Sequence, residues 1–139
     1  RMKVDLRKEI DDQQLAGHVH FIPAVSDVRQ ALAVMDVFAM PSLKEGLGLA
    51  LMEAMAFGLP VIGSAVGGIK SLIRDGENGL LVSPKDAPGL AQGILKLLED
   101  SAKAKAMGLA GQRFIRENFS QEKMVRETED VYSRCLNAG

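Results

Sequence analysis

Residues 37–62 read Val37-Phe38-Ala39-Met40-Pro41-Ser42-Leu43-Lys44-Glu45-Gly46-Leu47-Gly48-Leu49-Ala50-Leu51-Met52-Glu53-Ala54-Met55-Ala56-Phe57-Gly58-Leu59-Pro60-Val61-Ile62. Val37-Phe38-Ala39-Met40 is a short β-favouring run, and Pro41, which has no N–H to donate to a ladder, stops it. Residues 49–57 contain neither Gly nor Pro, are apolar except for Glu53, and meet Gly58, a common helix stop; they predict a helix. Pro60-Val61-Ile62-Gly63 is too short for a helix and too apolar for an exposed loop, so it predicts a buried strand. Strand, apolar helix and strand in so short a span form the repeating unit of a parallel sheet.

The alternation extends in both directions. Upstream, His18-Val19-His20-Phe21-Ile22 predicts another strand, stopped by Pro23. An amphipathic helix over residues 27–35 follows it behind Ser26 as a cap, and residues 2–15 predict a surface helix. Downstream, Gly67-Gly68 opens a short helix through Ile73, Asp75-Gly76-Glu77-Asn78-Gly79 is a turn cluster, and Leu80-Leu81-Val82 predicts a fourth strand. Helical spacing then runs through residues 86–98, 102–117 and 121–136, with Ser120 placed to cap the last. Four short strands alternating with helices predict an α/β fold, a Rossmann-like doubly wound parallel sheet with helices on both faces and a helical C-terminus. Such sheets bind ligands at the carboxyl ends of their strands, which directs attention to the segments after Ile22, Met40, Ile62 and Val82.

Composition bounds the function. A chain of 139 residues, 47% apolar and 25% charged, supports one core, and residues 1–139 are expected to form a single soluble domain. Its 17 basic and 18 acidic residues provide no electrostatic footprint for nucleic acid or anionic lipid. The lone Cys135 excludes an internal disulfide and fits a reducing compartment. The nearly apolar stretch from Leu47 to Ile62 is broken by Glu53, Gly58 and Pro60 and is too short for a bilayer span. No signal peptide is visible in Arg1-Met2-Lys3-Val4-Asp5, and the absence of an initiator Met points to a piece of a longer chain. The expected location is the cytoplasm, with the intact protein free to sit at a membrane periphery.

The segment with chemistry lies between the first quoted strand and its helix. Gly46 and Gly48 remove side chains that would keep a ligand from the backbone, and the helix that follows offers unpaired N–H groups and the positive end of its dipole. That combination suits phosphate. Glu53, one turn into an otherwise apolar helix, is expected to be surrounded by core; a buried carboxylate needs donors, and vicinal ribose hydroxyls would supply two without adding charge. Glu45, eight residues earlier, lies nearer the phosphate end and suits sugar hydroxyls or positive charge developing at an anomeric carbon. The plain alternative is that both carboxylates serve structure, Glu53 by pairing with a buried Arg or a backbone N–H.

From Pro41 to Ile62 the chain resembles the large group-one family of retaining glycosyltransferases with the two-domain GT-B fold. That family's pattern P-S-x-x-E-G-[FL]-G-x-x-x-x-E-A-M-A-x-G-x-P-V-I is followed throughout, with seven residues between Glu45 and Glu53. The resemblance continues through Val66-Gly67-Gly68-Ile69, through Asp75-Gly76-Glu77-Asn78-Gly79-Leu80-Leu81-Val82, and back to Val19-His20-Phe21-Ile22, roughly 120 residues in all. It implies the nucleotide-sugar-binding C-terminal domain of an enzyme that moves a sugar from a nucleoside-diphosphate sugar to an acceptor. It also implies the roles of single residues. Glu45 would hold the donor sugar as the catalytic carboxylate, the backbone N–H groups of Gly46, Leu47 and Gly48 would meet sugar and diphosphate, Leu49 and Ala50 would add phosphate contacts, and Glu53 would bind the ribose. Ile22 and Pro23 would lie by the base. No metal or other cofactor is implied, the nucleotide sugar being a substrate.

Departures from the family pattern are informative. Pro23 stands where the family usually has Gly, which removes one N–H donor beside the base, and Ser71 stands where it often has an acidic residue. Such a domain normally begins with two further β/α units, the first carrying an Arg and a Lys for the diphosphate. Arg7 and Lys8 lie in a predicted helix before the wrong strand and do not replace them. A sheet without those units has an unpaired edge, so self-association is expected. The acceptor-binding N-terminal domain is the expected partner, and this chain alone is not expected to transfer sugar. The alternative from a different functional class is a non-catalytic Rossmann-like nucleotide-binding or assembly module. A dinucleotide-dependent oxidoreductase fits less well, since E-G-L-G-L-A-L lacks G-x-G-x-x-G spacing. His18 and His20 read as strand positions rather than metal ligands. Met35, Met40, Met52, Met55 and Met107 read as core fillers, and Cys135 as an unreactive thiol.

Overall fold

The computed structural model describes residues 2–120, 129–131 and 133–137. The chain divides into two compact units, residues 1–31 and residues 32–139.

The first unit begins with α1 (Met2–Asp12). The Arg7 guanidinium carbon sits 5.2 Å from the centre of the Phe21 ring, a cation–π contact that occupies the basic residue. The strand expected at residues 18–22 is not formed. The N–H groups of His18 and Val19 both donate to the Leu15 carbonyl, closing a local turn after α1, and Pro23 has no N–H at all. A strand exists only by pairing, and this stretch spends its first two donors locally. The helix α2 (Val28–Leu32) is shorter than expected and starts behind Asp27, not Ser26. The Asp27 carboxylate accepts the Arg29 N–H at 3.0 Å and pairs with the Arg29 guanidinium, which holds that carboxyl below the usual carboxylate range.

The second unit contains β1 (Phe38–Met40), α3 (Leu49–Phe57), β2 (Val61–Ser64), α4 (Gly67–Leu72), β3 (Leu80–Val82), α5 (Ala87–Glu99) and α6 (Ser101–Phe119). Among the described residues its sheet has three strands in the order β1-β2-β3, not the expected four, and both pairings are parallel. Phe38 lies opposite Val61 and Ile62 opposite Leu80. All four residues of β2 are buried, as a central strand covered on both faces requires. Neighbouring residues of that strand serve different cores. Val61 packs with Leu51, Ala54 and Met55 of α3 and Ile69 of α4, whereas Ile62 packs with Leu97 of α5 and Ala104 and Met107 of α6. The period-2 alternation of a strand thus places helices on both faces, as expected. Leu51, Met55, Val61, Ile62 and Ile69 are the largest fully buried side chains, each stabilising by roughly 1.5–3 kcal/mol.

The remaining expectations follow local chemistry. Asp86 caps α5 by accepting the Gly89 N–H at 2.9 Å, and Asp100 caps α6 by accepting the Lys103 N–H at 3.1 Å. Met55 and Met107 are buried, and Met35, Met40 and Met52 pack against the core. Ser120 closes α6; the expected helix start at Gln121, and Tyr132, lie outside the described residues. Residues 129–131 and 133–137 are helical, with Val131 and Cys135 exposed. Among the described residues, no helix is long and apolar enough to cross a membrane.

Candidate functional site

The chain leaves the sheet at Met40, and residues 41–48 connect β1 to α3 without regular structure. Gly48 makes the entry: its φ of 68° and ψ of 41° lie in the left-handed region that side chains disfavour, and it turns the chain directly into the first residue of α3. No side chain caps that helix. An α-helix leaves its first N–H groups without intrahelical partners, so Leu49 and Ala50 carry unspent donors at the positive end of the dipole. The approach to them is open. Gly46 is exposed, and a Cβ added there would meet nothing within 4 Å. Leu47 is 73% and Leu49 62% exposed.

Glu45 is held at both its backbone and its side chain. The Ser42 hydroxyl donates to the half-buried Glu45 carboxylate, Oγ to Oε2, at 3.4 Å. The Glu45 carbonyl accepts the N–H of Gly68 at 3.0 Å. That approach demands glycine at the start of α4. Gly67 has φ of 42°, and a Cβ on it would run into the Glu45 carbonyl oxygen, while one on Gly68 would run into that of Gly46. The Gly-Gly pair is therefore a docking surface for the backbone of the glycine loop.

Glu53 corrects an expectation. It is exposed, not surrounded by core. Helical geometry overrides composition: Leu51, Ala54 and Met55 face the core, and Leu49, Ala50, Glu53, Ala56 and Phe57 lie on the uncovered stripe three and four residues apart. Burial thus places no demand on the Glu53 carboxylate. What survives is its position, about 6 Å along the helix axis from Leu49 and on the same open side as Ala50.

A cleft of about 150 Å³ opens where the carboxyl ends of all three strands converge, the location a parallel sheet reserves for ligands. Pro41 and Leu43 line it after β1, Ser64 at the end of β2, and Val82 and Ser83 after β3. Its first two lining residues flank Ser42 in the loop that carries Glu45. Gly46, Leu47, Leu49 and Ala50 form one exposed entry to α3 with Gly48 buried beneath it, and Glu53 stands one turn beyond. Ile22, 69% exposed, and Pro23 lie in the irregular stretch of the first unit and follow no strand. Sequence reasoning missed Ser42 as a partner of Glu45; a hydroxyl three residues before a loop carboxylate was the available signal.

The chain matches the family model described as glycosyl transferases group 1 over residues 2–114. It is 35% identical over 127 residues to N-acetyl-alpha-D-glucosaminyl L-malate synthase of Bacillus anthracis, a match covering 91% of this chain and 33% of that protein. Among solved structures it is similar to sucrose-phosphate synthase from Thermosynechococcus elongatus, with a TM-score of 0.88 and 32% identity over 96% of this chain and 34% of the other. It is also similar to Anabaena HepE in complex with UDP-glucose, with a TM-score of 0.88 and 27% identity over 94% of this chain and 36% of the other. The chain therefore spans about a third of the length of the proteins it matches. A doubly covered parallel sheet, a glycine-bent entry to an uncapped helix and the two carboxylates flanking it agree with that match, and the chain belongs to the group 1 glycosyl transferases.

Proposed function

We propose that this chain is the donor-binding part of a retaining glycosyltransferase that moves a sugar from a nucleoside-diphosphate sugar to an acceptor. The observation that carries the reading is the uncapped N-terminus of α3, reached over the open backbone of Gly46, with Glu45 fixed just before it. Diphosphate is the ligand such a terminus favours, because free N–H donors and the helix dipole act together on negative charge. In this reading Glu45 orients the sugar as the catalytic carboxylate, residues 46–50 stabilise the departing nucleoside diphosphate, and Glu53 accepts ribose hydroxyls. The exposure of Glu53 suits that role, since a ribose can reach it without unfolding the helix. Backbone donors, not a divalent cation, hold the diphosphate in this proposal. Transfer requires the acceptor-binding domain that such enzymes supply separately, so this chain alone binds donor without turning it over. The free side of β1, which pairs with β2 alone among the described strands, is proposed as a self-association edge.

Ligand-observed NMR with UDP, GDP and ADP and their glucose or mannose conjugates tests the donor site, with Glu45→Ala and Glu53→Ala as variants and EDTA added in a parallel series. The expected result is selective binding of one nucleotide class, insensitive to EDTA, lost in Glu53→Ala and deprived of its sugar preference in Glu45→Ala. Binding that survives both substitutions unchanged would sink the donor reading in favour of a non-catalytic nucleotide-binding or assembly module.

A further inference from the structure

We infer that Ser42 and Gly67 are positioning residues that set the Glu45 carboxylate for the donor sugar, an inference resting on the donor-site reading above. Glu45 lies in a connection without helix or sheet to hold it, so its orientation depends on contacts made within the loop and from the entrance of α4. One contact holds its side chain and another its backbone. The Ser42 hydroxyl reaches Oε2 of the carboxylate at 3.4 Å, across three residues of the same loop. The Gly68 N–H reaches the carbonyl oxygen of Glu45 at 3.0 Å from the entrance of α4. The second contact exists only because Gly67 has no Cβ: its φ of 42° and the space taken by the Glu45 carbonyl both exclude one. With its backbone fixed from α4 and one carboxylate oxygen occupied by Ser42, Glu45 keeps its other oxygen for a ligand hydroxyl. Loss of the Ser42 hydroxyl frees the side chain to rotate and lowers the fraction of molecules in the sugar-binding geometry.

The readout is the ratio of affinities for UDP-glucose and UDP, or for the matching GDP or ADP pair where wild type selects that base. Ser42→Ala is expected to reduce this preference about three- to tenfold, the scale of one long hydrogen bond of ordinary net strength, with free-nucleotide affinity unchanged. Ser42→Thr, which keeps the hydroxyl, is expected to restore it. Gly67→Ala should reduce the preference further. Gly76→Ala serves as its control, since Gly76 also has positive φ, 81°, but opens onto free space, so it introduces backbone strain without the collision. An unchanged preference in Ser42→Ala, where Glu45→Ala abolishes it, overturns the positioning inference and leaves the donor site standing. An unchanged preference in Glu45→Ala, or no binding of any nucleotide sugar by wild type, overturns both.

Discussion

Gly46→Ala separates ligand approach from stability. Gly46 is exposed, lacks the positive φ that penalises side chains, and faces no atom within 4 Å of an added Cβ. The folded state therefore accommodates alanine without strain, and the less flexible unfolded chain shifts stability by anything from nothing to a gain of about 1 kcal/mol. Binding should respond in the opposite sense. In the proposed donor reading the methyl group would fill the space through which a diphosphate reaches the backbone, and the loss of one charge-assisted hydrogen bond of about 1.5–3 kcal/mol would weaken binding roughly ten- to hundredfold. Gly48→Ala is the counterpart. Its φ of 68° costs about 1–2 kcal/mol for a residue with a Cβ, and the added atom would lie 3.1 Å from Leu72 Cδ1, so that variant should lose stability as well. Thermal unfolding followed by circular dichroism, together with titration calorimetry of the selected nucleotide sugar, measures both quantities. Wild-type affinity in Gly46→Ala, or destabilisation equal to that of Gly48→Ala, would refute the claim that this backbone is an open ligand surface.

Two further outcomes concern the scaffold. Asn78 is 4% exposed, accepts the Arg74 N–H at 2.7 Å and donates to the Leu72 carbonyl at 3.1 Å, joining the end of α4 to the turn before β3. Asn78→Ala leaves both backbone groups unpaired and should cost about 2–3 kcal/mol in urea denaturation; a cost below about 1 kcal/mol would show that water replaces the side chain. Because β1 has a ladder on one side only among the described strands, sedimentation velocity should show a coefficient that rises with protein concentration, and a constant monomer value would end the self-association proposal.

Local signals located most of the second unit. The bounds expected for α3 and β3 are those observed, because Gly58 stops the helix and turn residues enclose Leu80-Leu81-Val82. The strands β1 and β2 start one residue later than expected, where the ladder between them begins. Residues 18–22 have strand composition, but their first N–H groups close a turn onto Leu15. Nothing in composition distinguishes those outcomes, since a strand is a relation between two segments. The glycine loop and its flanking glutamates were legible as a pattern, whereas the contact between Ser42 and Glu45 and the docking of Gly67 and Gly68 on that loop were not. The docking of Gly67 and Gly68 depends on the sheet bringing the end of β1 beside the end of β2, whereas Ser42 and Glu45, three residues apart, meet only in the conformation that the irregular loop adopts.

The sequence by itself determined the alternation of strand and helix, the glycine-bent entry to α3 and the residue types available for a phosphorylated sugar ligand, because periodicity, breakers and caps act within a few residues. Only the tertiary structure decided that Glu53 stands in the open, that Val61 and Ile62 serve opposite cores, and that Glu45 is held from two sides. Burial and orientation are properties of packed neighbours, and a helix as apolar as α3 does not reveal from its own composition which side those neighbours will cover.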